Sequence, residues 1–272
     1  MGKTVTFYPR AIGNTSRAAK RKFHNPQPAE TIPKDAQQAT VDIVRSFVFL
    51  TGWALFREVD LSEHDGLHEF IQSSVHQDAN WAVEHFRSSD DGATIADVIR
   101  KGIAIGVSDG SFKDKHGTAC WILQGNTAIG EIKCPCVVQG MNAVQSAYRS
   151  ELAGLYGMIT MVNAICAFYD IASGAIELGC DGIQVLKHVD QRCDITHPKM
   201  AQFDLLSASR NSLRMCPIKV TMRHVKGNQD NDWEAVLDRW ANLNIEADDG
   251  AKEHWYSSIN IQQRQHRIFA EI

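Results

Sequence analysis

The chain has 272 residues, 44% hydrophobic and 22% charged, with a formal net charge of −4 at pH 7, which is ordinary for a globular protein. No uninterrupted apolar run reaches the roughly 18 residues of a membrane helix, and no signal-peptide pattern opens the sequence, so we expect no membrane association. Seven scattered cysteines argue against a disulfide framework and for an intracellular location, cytoplasm or nucleus, where thiols stay reduced.

Charge divides the chain into regions of different character. Residues 1–35 carry seven Lys or Arg against two Asp or Glu, together with four prolines, which predicts a basic flexible arm that can contact phosphates. Residues 36–99 carry three basic against eleven acidic residues, and their spacing predicts an acidic helical extension. We expect the main domain at 100–252 and a C-terminal tail at 253–272.

Within the main domain, runs with period-two alternation or small β-branched residues give way to helical spacing. The predicted order is strands at 103–109, 117–124 and 126–134, a helix at 145–168, a strand at 175–181, helices at 183–189 and 200–214, a strand at 218–225 and a final helix at 233–252. Antiparallel strands followed by strands alternating with helices predict an α/β fold, a mixed five-stranded sheet flanked by helices.

Four acids recur at special places in this order. Asp109 in VSDGS and Asp181 in GCDG end two predicted strands, Glu151 lies in the first turns of the long apolar helix, and Asp248 lies in the last helix. Each alone is a common turn former or cap. Carboxyl ends of parallel strands meet at one edge of a sheet, however, and an acid on an apolar helix face is costly to bury unless it is paired or bound to metal.

Together these acids predict a metal centre. Four carboxylates that converge without matching Lys or Arg repel one another, and two divalent cations roughly 3.5–4 Å apart would remove the repulsion. Oxygen ligands favour Mg²⁺, with Mn²⁺ as the alternative, over zinc. The chemistry that such a pair of ions supports is hydrolysis of a phosphodiester.

The motifs resemble those of ribonuclease H over about residues 103–252. VSDGSF is similar to that family's first-strand motif, AYRSELAGL to the helix that carries its Glu, and GCDG to its second-strand Asp. HVKGNQD, at 224–230, resembles the loop before the last helix, and NLNIEADDGAK resembles the helix with the final Asp. The five motifs occur in the family's order, each on the expected element.

The resemblance implies an RNase H-like fold and metal-dependent endonuclease cleavage of the RNA strand of RNA–DNA hybrids. It implies that Asp109, Glu151, Asp181 and Asp248 are catalytic and bind two Mg²⁺ ions. Asp248 rather than Asp249 is the expected ligand because it follows Asn-x-x-Ala. Contacts to the 2′-OH that distinguishes RNA from DNA are expected near Ser111, Ser146 and Arg149. Asn228 is also expected to bind substrate, as a hydrogen-bond donor to a phosphate oxygen or a metal-bound water.

The segments SFKDKHGTA and QSAYRSELAGL are most similar in sequence to the RNase H domains attached to retroelement reverse transcriptases. This implies a retrotransposon origin and reverse transcriptase regions of a parent polyprotein as partners. The sequence also departs from the family: no basic handle helix is evident, and Asn228 stands where the family usually has His. An amide cannot act as a general acid or base but can still donate a hydrogen bond to a phosphate, so we expect metal binding with reduced turnover.

Three functions are compatible with these patterns. The first is an active RNase H, which the four retained carboxylates favour. The second is a retroelement-derived nucleic-acid-binding module with weak or no cleavage, which Asn228 favours. The third is a nuclease or strand transferase of the same fold that acts on another substrate, such as duplex DNA, since the metal site would be shared.

Overall fold

The computed structural model describes residues 66–190, 202–227, 229 and 237–270, with side chains to residue 259, and two short strands near the N-terminus. The chain divides into two compact units, Met1–Thr51 and Gly52–Ile272. In the first unit, β1 (Val5–Thr6) pairs antiparallel with β2 (Gln38–Ala39).

The second unit contains six described strands and seven described helices. The strands are β3 (Arg87–Ser88), β4 (Ala104–Lys113), β5 (His116–Gln124), β6 (Ile132–Val137), β7 (Ala175–Cys180) and β8 (Lys219–His224). The helices are α1 (Leu67–Ser74), α2 (Gln77–Asn80), α3 (Ala93–Arg100), α4 (Ala147–Phe168), α5 (Ile183–Asp190), α6 (Phe203–Met215) and α7 (Arg239–Ala270).

The six strands form one mixed sheet in the order β3-β6-β5-β4-β7-β8. Neighbouring strands among β3, β6, β5 and β4 pair antiparallel, whereas β4, β7 and β8 pair parallel. This confirms the predicted α/β class and the mixed sheet flanked by helices. The predicted number of strands, five, becomes six because the two-residue strand β3 pairs with Ile132 and Lys133 at the edge.

The hairpin of β4 and β5 changes the predicted position of one acid. Asp114 and Lys115 both adopt left-handed conformations, with φ of 53° and 61°, as the two-residue type I′ turn of a hairpin requires. The ladder with β5 therefore runs on to Lys113, and Asp109 lies inside β4 rather than at its end. The parallel ladder with β7 nevertheless stops at Ser108, one residue before Asp109.

Helices α4 and α7 cover opposite faces of β4. A Cβ built on Gly106 would meet Met158 of α4, whereas the alternate residues Ile105 and Val107 pack with Leu243 of α7. Since successive side chains of a strand point to opposite faces, one residue in two looks toward each helix. The site acids can thus reach one edge of the sheet from both faces.

Helix α4 is the central core helix. Ser146 caps its first turn by accepting a hydrogen bond from the Arg149 amide at 3.1 Å. By length and composition alone this helix could cross a membrane, yet 83% of its most apolar window is buried inside the protein. Its apolar residues therefore fill the core against the sheet.

Residues before 100 share this core. Leu67, Phe70, Ile95 and Ile99 are at most 2% exposed and belong to the same hydrophobic cluster as α4. Burying a side chain of this size contributes about 1.5–3 kcal/mol. The buried Trp121 indole of β5 also donates a hydrogen bond to the carbonyl of Ala82 at 2.9 Å, which fixes the segment to the sheet.

Helix α7 is longer than the pattern predicts. The Asp238 carboxylate accepts from the Ala241 amide at 2.8 Å and caps its start, and the helix runs through the predicted tail to Ala270. No Gly or Pro follows Gly250, so nothing in the sequence ends the helix there.

Candidate active site

The parallel strands β4 and β7 place Asp109 and Asp181 side by side. Ser108 and Cys180 are the last paired residues of their ladder, and each acid follows directly. Asp109 is 6% exposed, and its carboxylate accepts hydrogen bonds from the Gly110 amide at 2.6 Å and from the Asn244 side-chain amide at 3.3 Å. The predicted adjacency of the two aspartates is therefore observed.

Glu151 approaches the same edge from α4. The approach is close because β4 has a glycine beneath the helix: a Cβ on Gly110 would lie 2.4 Å from the Glu151 nitrogen. The Cys180 thiol donates a hydrogen bond to a Glu151 carboxylate oxygen at 3.4 Å. Possible ligand atoms of Glu151, Cys180 and Asp181 all lie within 4.8 Å of one another.

Asp248 completes the group from α7. Its side chain is 25% exposed and forms an ion pair with Lys252 one turn along the helix. Asp248 lies one helical turn after Asn244, whose side-chain amide contacts Asp109, so Asp248 lies on the face of α7 that is turned toward the same centre. Asp249, the neighbouring acid, is exposed to solvent.

Burial and mutual repulsion dominate the electrostatics of this centre. Burial, followed by the charges of Asp181 and Asp248, raises the pKa of Asp109 to about 7. Burial, followed by Asp109 and Asp181, raises the pKa of Glu151 well above its usual value. Burial also raises the pKa of Asp181. Across the described part of the chain, no Lys or Arg forms an ion pair with any of these three carboxylates.

The donor set fits a hard divalent cation. Carboxylate oxygens are the ligands that Mg²⁺ and Mn²⁺ prefer. The one sulfur nearby, that of Cys180, is fully buried, and burial, followed by the charge of Glu151, raises its pKa well above the usual value. The thiol therefore stays protonated and orients Glu151 as a hydrogen-bond donor.

Two neighbours of Asp181 lie on the β8 side. A Cβ on Gly227 would lie 2.5 Å from an Asp181 carboxylate oxygen, so the loop after β8 passes directly against this acid. The His224 ring nitrogen lies 3.1 Å from the Asp181 backbone oxygen, which places that ring at the rim of the site. Asn228 lies outside the described residues, and its predicted role stays a prediction.

Several residues of the centre have no motif of their own. Cys180 and Gly110 both contact Glu151 of α4, which is more than 25 residues away from each in sequence. Asn244 contacts Asp109, which is 135 residues away. The available signals were weak: Cys180 immediately precedes Asp181, and Asn244 is the first residue of the Asn-x-x-Ala motif before Asp248.

The predicted substrate contacts occupy different environments. Ser111 lines a cleft beside the carboxylates, and Ser146 is the partly buried cap of α4. Arg149 is 4% exposed, and its guanidinium donates to the Asp204 carboxylate at 2.7 and 2.9 Å and to the Gln139 carbonyl at 2.8 Å. These bonds give Arg149 an architectural role, and contact with nucleic acid stays a prediction for all three residues.

Replacement of Arg149 tests that role. Arg149→Met removes four charge-assisted hydrogen bonds, and we expect the free energy of unfolding to fall by about 2–3 kcal/mol. Urea denaturation followed by circular dichroism measures the loss. Lys187→Met, at an exposed cation of α5, is the control and should change stability by less than about 0.5 kcal/mol. Unchanged stability of Arg149→Met would contradict the architectural role.

Replacement of Gly110 tests the close approach of α4. In Gly110→Ala the new Cβ meets backbone atoms of Ser150 and Glu151 at 2.4 Å, so the helix must move and Glu151 with it. We expect a loss of about 1–3 kcal/mol in unfolding free energy. The matched control is Gly125→Ala, where the Cβ meets only a Val98 methyl, at 3.0 Å, and the cost should stay below about 1 kcal/mol. Equal stabilities of the two variants would exclude the tight contact.

Comparisons with known proteins identify similar folds. No protein-family model matches the chain, and no curated protein matches it. The N-terminal RNase H domain of a Mycobacterium tuberculosis protein, solved as a fusion with maltose-binding protein, is 14% identical with a TM-score of 0.35 and is matched over 57% of this chain and 97% of that one. LC11-RNase H1, isolated from compost by a metagenomic approach, is 12% identical with a TM-score of 0.38, over 58% and 99%.

A third similar structure is RNase H1 from the halophilic archaeon Halobacterium salinarum, 18% identical with a TM-score of 0.30, over 53% of this chain and 97% of that one. At these identities and TM-scores the fold assignment rests on this chain's own strand order and helix packing. The chemistry of the present site rests on its own carboxylates and their surroundings.

Proposed function

We propose that the chain is a metal-dependent endonuclease that hydrolyses the RNA strand of RNA–DNA hybrids. One observation carries the proposal: Asp109, Glu151 and Asp181 meet from two parallel strands and a helix, and Asp248 lies one turn after Asn244 on the face of α7 that contacts Asp109. Burial, followed by mutual repulsion, raises the pKa values of Asp109 and Glu151, and burial raises that of Asp181. Such a centre is stable at neutral pH when divalent cations neutralise it. The choice of hybrid as substrate is supported by the resemblance of the five sequence motifs to ribonuclease H.

In this proposal Asp109, Glu151, Asp181 and Asp248 hold two Mg²⁺ ions, and Mn²⁺ can replace them. When bound, the ions lower the pKa of the attacking water and stabilise the leaving 3′ oxygen. The protein's own groups fix the ligands. The Gly110 and Asn244 amides hold the Asp109 carboxylate, and the Cys180 thiol orients Glu151. These outer contacts orient the carboxylates of Asp109 and Glu151 before metal and substrate arrive.

A substrate panel tests the function. The purified chain is incubated with a labelled RNA–DNA hybrid, duplex DNA or duplex RNA, each with Mg²⁺ or with EDTA. We expect cleavage of the hybrid alone, in its RNA strand, and only with Mg²⁺. Cleavage of duplex DNA would support the broader nuclease, and tight hybrid binding without cleavage would support a binding module; either result would overturn the proposal.

The binding module is the second candidate because of Asn228. An amide lacks a pKa near neutrality and cannot relay a proton at the metal centre. We therefore propose that turnover is slower than in an enzyme with His at this position. Asn228→His should raise the steady-state rate at saturating hybrid, measured with Mg²⁺ at neutral pH. The control is Gln229→His, one residue along the loop, and an equal rate in Asn228→His and the parent chain would exclude a catalytic part for this position.

We also propose a setting for the enzyme. The basic arm at 1–35 would hold nucleic-acid phosphates, and the protein would act in the cytoplasm or nucleus. A retroelement origin, with reverse transcriptase regions as partners, is supported by the sequences of the segments SFKDKHGTA and QSAYRSELAGL. Removal of residues 1–35 tests the role of the basic arm. We expect weaker binding of the hybrid, with a larger loss of affinity at low salt than at high salt.

A further inference from the structure

The seam between β4 and α7 continues beyond the carboxylates. Asp109, Ser111 and Lys113 are alternate residues of β4 and therefore share one face. That face is turned toward α7, because Asn244 contacts Asp109 and the Trp255 ring lies beneath the Lys113 ammonium. At about 3.4 Å per residue, Ser111 and Lys113 lie about 7 and 14 Å along the strand from Asp109.

At this end the seam opens into a cleft of about 270 Å³. The volume is close to the lower end of the range of about 300–1,000 Å³ for small-molecule sites. The cleft is lined by residues of the β4 end and of the α7 segment that follows Asp248: Ser111, Phe112, Lys113, Lys252, Trp255 and Tyr256.

The walls of the cleft are fixed by hydrogen bonds. The Trp255 indole donates to the backbone oxygens of Lys113 and His116, at 3.2 and 3.1 Å, and ties the hairpin end to α7. A second tie joins the His116 ring and the Ser258 hydroxyl at 2.8 Å. A ligand therefore meets a surface that is already in place, which lowers the entropic cost of binding.

The lining combines aromatic rings with cations. Tyr256 is 61% exposed and Phe112 38% exposed, so both residues present apolar surface to solvent at the cleft. The Lys113 ammonium lies 5.2 Å from the centroid of the Trp255 ring, and Lys252 contributes a second positive charge, shared with Asp248. Exposed rings next to lysines are the surface on which single-stranded nucleic acid binds, because bases stack on the rings and phosphates meet the cations.

From this geometry we propose that the cleft binds an unpaired nucleic-acid segment that continues from the strand at the active site. A paired base is already stacked between its neighbours, whereas an unpaired base can lie on the Tyr256 ring. The inference rests on the proposed function, since it takes the carboxylates as the place where the strand is cut. It adds a preference for hybrids that carry a single-stranded extension.

Binding measurements with an inactivated chain test this proposal. Asp109→Asn prevents cleavage, and fluorescence anisotropy then gives Kd for a blunt RNA–DNA hybrid and for hybrids with a four-nucleotide 3′ or 5′ extension on either strand. We expect one extension to tighten binding by a factor of about 5 to about 160, which is the range for one stacked base. Adding Tyr256→Ala should remove this gain, whereas Tyr256→Phe, which keeps the ring, should retain it.

The control is Ile129→Ala, which removes a hydrophobic side chain that is 75% exposed in the β5–β6 loop, away from the cleft. It should retain the full gain. Equal Kd values for blunt and extended hybrids, or a gain that survives Tyr256→Ala, would overturn the proposal. The binding test does not depend on cleavage. If the parent chain failed to cut hybrids but the extended hybrids still bound more tightly, the proposed nuclease function would be rejected and the cleft assignment would stand.

Discussion

Asp109→Asn is expected to lower the rate of hybrid cleavage at least about a thousand-fold while leaving the protein folded. The carboxylate lies at the centre of the group, where the charges of Asp181 and Asp248 act on it. An amide offers one neutral oxygen in its place, and loss of several kcal/mol of metal-mediated stabilisation corresponds to three or more factors of ten in rate. Single-turnover cleavage of a labelled hybrid at saturating Mg²⁺ measures the effect.

The matched control is Asp249→Asn. Asp249 follows the proposed ligand Asp248 in α7 but is exposed to solvent. Its replacement should change the rate by less than about two-fold, because water and salt screen the charge of an exposed carboxylate. If Asp109→Asn cut at the parent rate, or if both variants lost activity equally, the assignment of the centre would be wrong.

The second large effect concerns stability in EDTA. Folding raises the pKa of Asp109 from an ordinary 3.8 to about 7, so between these values the folded chain binds more protons than the unfolded one. The free energy of unfolding contributed by this site must then fall as pH rises from about 4 to about 7. For Asp109 alone the difference of about 3 pKa units corresponds to about 4 kcal/mol, at about 1.36 kcal/mol for each unit.

Added Mg²⁺ should reverse this loss at neutral pH. A cation that binds only the folded chain stabilises it by about 2.7 kcal/mol at a concentration one hundred times its Kd. Thermal denaturation at pH 5 and at pH 8, each with EDTA or with Mg²⁺, gives the four Tm values to be compared. The control is Asp109→Asn, in which the dependence of stability on pH should be weaker because the Asp109 contribution to the titration is gone. A parent chain whose stability at pH 8 does not respond to Mg²⁺ would argue against a metal centre.

Much of the architecture follows from local patterns in the sequence. Period-two runs and helical spacing predict the order of the nine elements of the main domain, and the strand order then brings Asp109 beside Asp181. Glu151 stands out in an apolar helix, which signals a partner or a metal. These features are readable because each depends on a few neighbouring residues.

Other features depend on contacts that no local pattern encodes. Strand β3 has two residues, too few for a period, and β6 begins at Ile132 rather than at 126 because Gly130 adopts φ of +71° in the preceding loop. Arg149 lies two residues before Glu151, yet its guanidinium turns to Asp204, 55 residues away. The orienting thiol of Cys180 is likewise visible only when β7 meets α4.

The chemistry of the cut ends tests the central claim most directly. Attack of water on the phosphorus, with the 3′ oxygen as the leaving group, must give 3′-hydroxyl and 5′-phosphate ends in the RNA strand. We therefore expect Mg²⁺-dependent products of an end-labelled hybrid that a 5′-phosphate-dependent exonuclease degrades. Products with 2′,3′-cyclic phosphate ends, or the same products in EDTA, would contradict hydrolysis at a centre of metal-bound carboxylates.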